Sequence, residues 1–244
     1  MLDEVDLGPG VLAGFTTRRG GVSRSPWNGF NLALHVGDDP TDVVANRAAL
    51  ERRVGAPVAF ADQVHGTAVI VMEGPPSTGR TSVGAADALV TRSDAVALGV
   101  LVADCVPVLL ADAHAGVVAV AHAGRAGLAA GVISSVLAAM AGLGARPARV
   151  RAVLGPCIAG RSYEVPAALR DEVAGQVPGT AATTAWGTPA LDLAAGARRV
   201  LLAAGVQSVA MPECDTFTDE RLFSHRRDGP ATGRFAGVVR LRRG

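Results

Sequence analysis

Apolar residues fall along this chain in short runs. The densest, residues 95–138, is cut into pieces by Asp, Gly and Pro. Runs of that length predict buried strands at about 98–103, 106–112 and 117–122, with a helix from about Gly127 to near Gly142. Upstream, the pattern predicts a strand over 11–16, a basic turn at 17–21 and a loop at 26–29. A short strand over 31–36 and a helix over 42–54, with Thr41 as N-cap, come next. Apolar segments 59–64 and 68–72 flank Gln63-Val64-His65-Gly66. A Gly/Pro/Ser/Thr loop is expected over 73–84 and a strand over 87–91. Downstream, strands are expected at 149–154, 207–211 and 237–241, with helices at 166–173 and 191–204. No linker, repeat or low-complexity tract interrupts the pattern, so residues 1–244 are expected to form one domain.

The central run carries Asp104, Cys105, His114 and His122. A hairpin folded at His114-Ala115 pairs Pro107 with His122, and side chains two apart on a strand share a face. Cys105 and His122 are therefore expected to project from one end of one sheet. The turn is not of the Asn-Gly type, so it does not by itself fix the register.

Composition narrows the classes. At 244 residues and 49% hydrophobic content the chain can bury a large core. A net charge of +1 and 4% aromatic residues argue against nucleic acid and anionic membrane as partners. No apolar stretch reaches the length of a membrane span. Three cysteines, Cys105, Cys157 and Cys214, with no signal-peptide pattern at the start, lead us to expect a soluble cytoplasmic protein.

Two imidazoles and a thiolate suit Zn²⁺ and leave a fourth position for water. His65, Cys105 and His122 are the candidate set, although their spacing matches no compact zinc motif. On spacing alone, a buried structural cysteine and two hydrogen-bonded histidines fit slightly better. Another reading makes Cys105 a nucleophile with His122 as its base and Asp104 orienting an imidazole. Gly124-Arg125-Ala126-Gly127 precedes a helix, and Arg226, Arg227 and Arg234 could clamp an anion. A plain loop and a solvated basic surface are the commoner outcomes for such segments. His35 and His114 are expected to be structural or exposed, and Cys214 a core thiol.

The set QVHG (63–66), ADALVT (86–91), ADCVPVLLAD (103–112), AHAG (121–124) and GPCI (155–158) with YEV (163–165) resembles the YfiH/YlmD-type family. The tail from CDTFTDERLFSHRRDG to TGR, and NLALHVGDDP with Asn46-Arg47, extend that resemblance over roughly residues 14–241. This is the "multicopper polyphenol oxidase" or laccase-domain family, regarded as purine nucleoside-processing enzymes. The resemblance implies an α+β fold with mixed sheets between helical layers, and a zinc held by His65, Cys105 and His122. It also implies phosphorolysis of adenosine, inosine and methylthioadenosine to base and ribose 1-phosphate, with some adenosine deamination. Multinuclear copper needs more histidines than five scattered ones supply, so copper is disfavoured. Where the family reads HAGWRG, this chain has Arg125 and Ala126 in place of Trp and Arg.

On this basis Cys105, Asp104 and Asp87 are the candidates for catalysis or for support of the ligands. Asn31, Arg47, Gln63, Arg125, Cys157 and Arg226 are candidates for substrate contacts. The expected partners are a purine nucleoside and phosphate, in a monomer or homodimer. Two other classes stay open: an amide or peptide-like hydrolase using the zinc or the Cys105 thiolate, and a non-catalytic binding protein on the same scaffold.

Overall fold

A computed structural model describes residues 2–77, 81–211 and 213–242. One sheet has five strands, β1 (Leu2–Glu4), β2 (Val11–Thr16), β3 (Val58–Phe60), β6 (Ala97–Val102) and β13 (Phe235–Leu241), in the order β1-β2-β13-β6-β3. The other has six, β4 (Val69–Met72), β5 (Ala88–Thr91), β7 (Val106–Asp112), β8 (Val117–Ala123), β9 (Arg151–Leu154) and β12 (Ser208–Ala210), in the order β12-β9-β7-β8-β5-β4. A separate hairpin joins β10 (Ala181–Thr183) to β11 (Pro189–Leu191). The helices are α1 (Pro40–Val54), α2 (Arg125–Ala130), α3 (Val132–Gly142), α4 (Ala167–Gln176), α5 (Leu193–Ala203) and α6 (His225–Asp228).

The sheets stack between helices, as expected for an α+β fold. Phe15, Leu98, Val100, Leu109, Val118, Val120, Phe235 and Val239 fill the space between the two sheets. Val108, Leu110, Ala119 and Ala121 on the opposite face of the six-stranded sheet pack against Ile133, Val136 and Met140 of α3. Leu50 and Val54 of α1 cover Leu12, Leu101 and Val238 on the outer face of the five-stranded sheet. Strands covered on both faces have no polar side to show, so β6, β7 and β8 read as continuous apolar runs.

Several local expectations change. The helix expected from Gly127 is broken at Gly131, whose φ of 98° separates α2 from α3. Asp39, not Thr41, caps α1: its carboxylate accepts from the Thr41 N–H at 2.8 Å, with Pro40 in the first turn. Residues 31–36 form no strand. The Asn31 amide accepts from Ala33 N–H and donates to Ala33 C=O, and a short 3-10 turn follows over Leu34–Val36. The segment expected over 59–64 is a strand only as far as Phe60, followed by an isolated bridge from Asp62 to Ala85. Beyond it Gln63 bonds the backbone of β6 through its side chain, donating to Leu101 C=O and accepting from Leu101 N–H, both at 2.8 Å. The 73–84 loop is irregular where described, and residues 78–80 lie outside the described residues. No helix among the described residues is long and apolar enough to cross a membrane.

Candidate metal centre

The β7–β8 hairpin sets Pro107 opposite His122, the register that folding at His114-Ala115 requires. In β8 the inter-sheet positions are Val118 and Val120, so His122 continues that face, and Cys105, just before β7, points the same way. The third donor arrives from a distance. His65 lies on the loop between β3 and β4, with its backbone at φ 58°. The ligand atoms of His65, Cys105 and His122 all lie within 4.8 Å of one another. That is close to the span that bonds of about 2.0–2.3 Å to one ion can bridge. The two imidazoles meet edge to face, with centroids 4.7 Å apart.

Asp87 organises both histidines. One carboxylate oxygen meets His122 Nδ1 at 2.8 Å, leaving Nε2 for a metal. The same oxygen accepts the His65 N–H at 2.9 Å, and the other accepts Gly66 N–H at 2.7 Å and Val64 N–H at 3.2 Å. Burial alone would raise the Asp87 pKa, but His122 and these N–H donors hold it below the usual range.

The same balance acts on the ligands. Burial pushes the Cys105 thiol up, yet the facing imidazoles of His122 and His65 bring it down to about 6. Burial disfavours charge on His122, and Asp87 with Cys105 overcomes it, raising His122 to about 9. A thiolate, two imidazoles and an ordered carboxylate make a donor set suited to a divalent ion of borderline softness. The chain leaves room for it. A Cβ on Gly124 would sit 2.9 Å from His65 Cδ2, 3.2 Å from Cys105 Sγ and 3.4 Å from His122 Cε1.

These ligands open into a cleft of about 310 Å³ that three arginines also line: Arg125, Arg226 and Arg234. None of the three makes an ion pair among the described residues. Arg226 stacks over Tyr163, its guanidinium carbon 4.9 Å from the ring centroid. Four of the five histidines reach this cleft, since His35 and His225 line it beside the two ligands.

The other expected contacts divide. Arg125 and Arg226 line the cleft, as does Gln63, but the Gln63 amide is spent on Leu101. Asp104 lines it too, with its carboxylate already occupied by Thr216 and Arg226. Asn31 is not in the cleft: it is buried, donating to Asp38 at 2.8 Å and accepting from Arg234 N–H at 2.9 Å. Arg47 is likewise committed elsewhere, donating to Leu32 C=O and Thr81 C=O and stacking on Phe60. Cys157 is buried outside the lining, and its thiol is pushed far up by burial. Arg227 does not clamp an anion, because three backbone carbonyls and Asp228 take its guanidinium. Cys214 is half-buried against Asp219, not a core thiol. Tyr163 and His225 line the cleft as well, beyond the expected contacts. The motif YEV and the basic tail were the available signals, but only the fold turns them toward Cys105.

Fold and site together define an α+β scaffold with a His-Cys-His cluster able to hold a metal ion at the end of its paired sheets, inside a cationic cleft. The chain belongs to the family described as multi-copper polyphenol oxidoreductase laccase, whose model matches residues 12–242. It is 50% identical over 228 residues to a purine nucleoside phosphorylase of Mycobacterium tuberculosis, covering 92% of this chain and 89% of that one. It is 48% identical over 244 residues to one of Streptomyces coelicolor, covering 99% and 100%. Among solved structures, the Neisseria meningitidis protein NMB0706 superposes with a TM-score of 0.89 at 36% identity, over 99% of both chains. YlmD from Geobacillus stearothermophilus gives 0.87 at 34%, over 96% of this chain and 93% of that one.

Proposed function

We propose that this protein is a zinc-dependent purine nucleoside phosphorylase. It would convert adenosine, inosine or methylthioadenosine and phosphate to free base and ribose 1-phosphate. The observation that carries this reading is the pairing, in one cleft, of a His-Cys-His pocket with three arginines that lack carboxylate partners. A cleft of that charge suits a phosphate dianion, and the relatives are named for the same reaction. His65, Cys105 and His122 would hold the zinc, which supplies a positive centre able to fix an oxyanion or acidify water. His35 and His225 also line the cleft but lie outside the cluster of close ligand atoms, which suits a single zinc ion better than several copper ions.

The chain's own residues account for the rest. Arg125 and Arg226 hold phosphate oxygens below C1′ of the ribose, and Arg226 keeps its angle through Tyr163 and Glu164. Phosphate oxygen bonds to C1′ as the C1′–N9 bond breaks, and the electron pair leaves with the purine. Leu101, Ile158 and Leu193 on the cleft wall offer the base an apolar surface and exclude water. Deamination of adenosine at C6 would use the same pocket with water in place of phosphate.

Metal analysis of the purified protein, followed by inosine with and without phosphate, tests the reading. Base release that depends on phosphate is expected. Cys105→Ala should remove both metal and turnover, and full activity in that variant refutes the ligand assignment. The depressed Cys105 thiol beside two imidazoles favours one other reading, a cysteine hydrolase. Inactivation by iodoacetamide in metal-free protein that remains active would favour it.

A further inference from the structure

Asp104 lines the cleft next to Cys105, yet its carboxylate is taken up by partners from the chain's tail. Its backbone is left-handed at φ 87°, a conformation Asp tolerates better than most residues. Its carbonyl accepts from Ile158 N–H at 3.0 Å. One carboxylate oxygen accepts from the Thr216 hydroxyl at 2.5 Å and the other from Arg226 N–H at 2.7 Å. Both partners belong to the tail over 213–234, which Arg227 ties together through Thr216 C=O, Asp219 C=O and Leu222 C=O. Arg226 is thus fixed at both ends. Asp104 holds its backbone, while Glu164 C=O, at 2.8 Å from Nη1, and the Tyr163 ring hold its guanidinium.

We infer that Asp104 is a positioning residue, which joins the Cys105 turn to the tail and so sets where Arg226 presents its guanidinium to the phosphate. The inference rests on the phosphorolysis reading. A single peptide unit separates Asp104 from Cys105, so metal pocket and anion-binding arginine share one rigid link. Misplacement of a positioning group by about 1 Å can cost about a hundredfold in rate.

The test uses the metal-loaded full chain with Asp104→Gly, Asp104→Asn and Thr216→Val. Glycine keeps the left-handed backbone and deletes the carboxylate. Metal content in Asp104→Gly should match the unaltered protein, and KM for phosphate should rise about tenfold or more, the loss of a charge-assisted hydrogen bond. KM for inosine should stay unchanged. Asp104→Asn, which keeps one acceptor, should fall between, and Thr216→Val should shift KM for phosphate in the same direction by less. In an Arg226→Ala background the Asp104→Gly change should add nothing. Loss of metal, an equal rise in both KM values, or an unchanged KM for phosphate would overturn the inference. Should Asp104→Gly not fold, the asparagine and valine variants carry the same comparison. If the unaltered protein releases no base with phosphate, the phosphorolysis reading is what fails. Calorimetric affinity for inorganic phosphate, equal in the unaltered and Asp104→Gly proteins, would then overturn the role of Asp104 separately.

Discussion

Gly124→Ala isolates the geometry of the metal pocket from everything else in the fold. Gly124 sits at φ −75° and ψ 168°, which any residue adopts, so alanine carries no backbone penalty there. The penalty is contact. The new methyl would lie 2.9 Å from His65 Cδ2 and 3.2 Å from Cys105 Sγ. Carbon atoms rest at about 3.5–4.0 Å, so the His65 ring must retreat by about 0.6 Å or more. Metal–ligand distances tolerate only about 0.2 Å. Overpacking of this kind costs about 1–3 kcal/mol, and here it falls on the ligands, so metal affinity should drop by about 10–100-fold. The metal-free fold has an outlet, because His65 is exposed and can swing outward. Its melting temperature should therefore fall by only about 2–4 °C, the shift about 1 kcal/mol gives in a chain of this size. Competition against a chromophoric chelator measures the first effect and a thermal melt in chelator the second. A Gly124→Ala protein that binds metal as tightly as its parent would show that the three side chains do not surround an ion.

Two further outcomes follow from the same residues. Asp87→Asn puts an amide NH₂ in place of one oxygen, opposite either the His65 N–H or the pair of N–H groups from Val64 and Gly66, and so leaves part of that clamp without an acceptor. Metal affinity should fall by about 10–100-fold and stability by about 2–3 kcal/mol, read by chelator competition and denaturant unfolding; an unchanged melt would refute the clamp. Metal affinity should also depend on pH with a definite sign. Between about 6 and about 9 Cys105 is already thiolate while His122 keeps its proton, so binding releases one proton and affinity rises about tenfold per pH unit. Below about 6 the thiol also competes and the slope steepens, and above about 9 the dependence vanishes. A flat profile from pH 6 to 9 in a chelator titration would refute the thiolate–imidazolium pair.

Local pattern sufficed for the elements with the strongest apolar signal and for one pair of the site. The strands β6, β7 and β8 are legible because both their faces are covered; folding at His114-Ala115 suggests the pairing of Pro107 with His122, and the ladder of the folded hairpin fixes it. Boundaries set by side-chain hydrogen bonds were not legible: Asn31 and Gln63 satisfy backbone groups that a pattern of apolar residues assigns to a ladder. Asn31 and Arg47, expected at the substrate, serve the loop packing, because their partners, Asp38, Leu32 and Thr81, become neighbours only in the folded chain.

The residues themselves thus determine the donor chemistry, two imidazoles and a thiolate, and the hairpin that joins two of them. The resemblance names His65 and Asp87, but only the tertiary structure shows His65 brought to Cys105 and His122, the Asp87 carboxylate bonding both histidines, and Arg125, Arg226 and Arg234 converging on one cleft. The reason is sequence separation. His65 reaches Cys105 across three strands, and Arg226 reaches Asp104 from 122 residues away. Contacts of that range depend on how two sheets stack, and no local periodicity encodes the stacking.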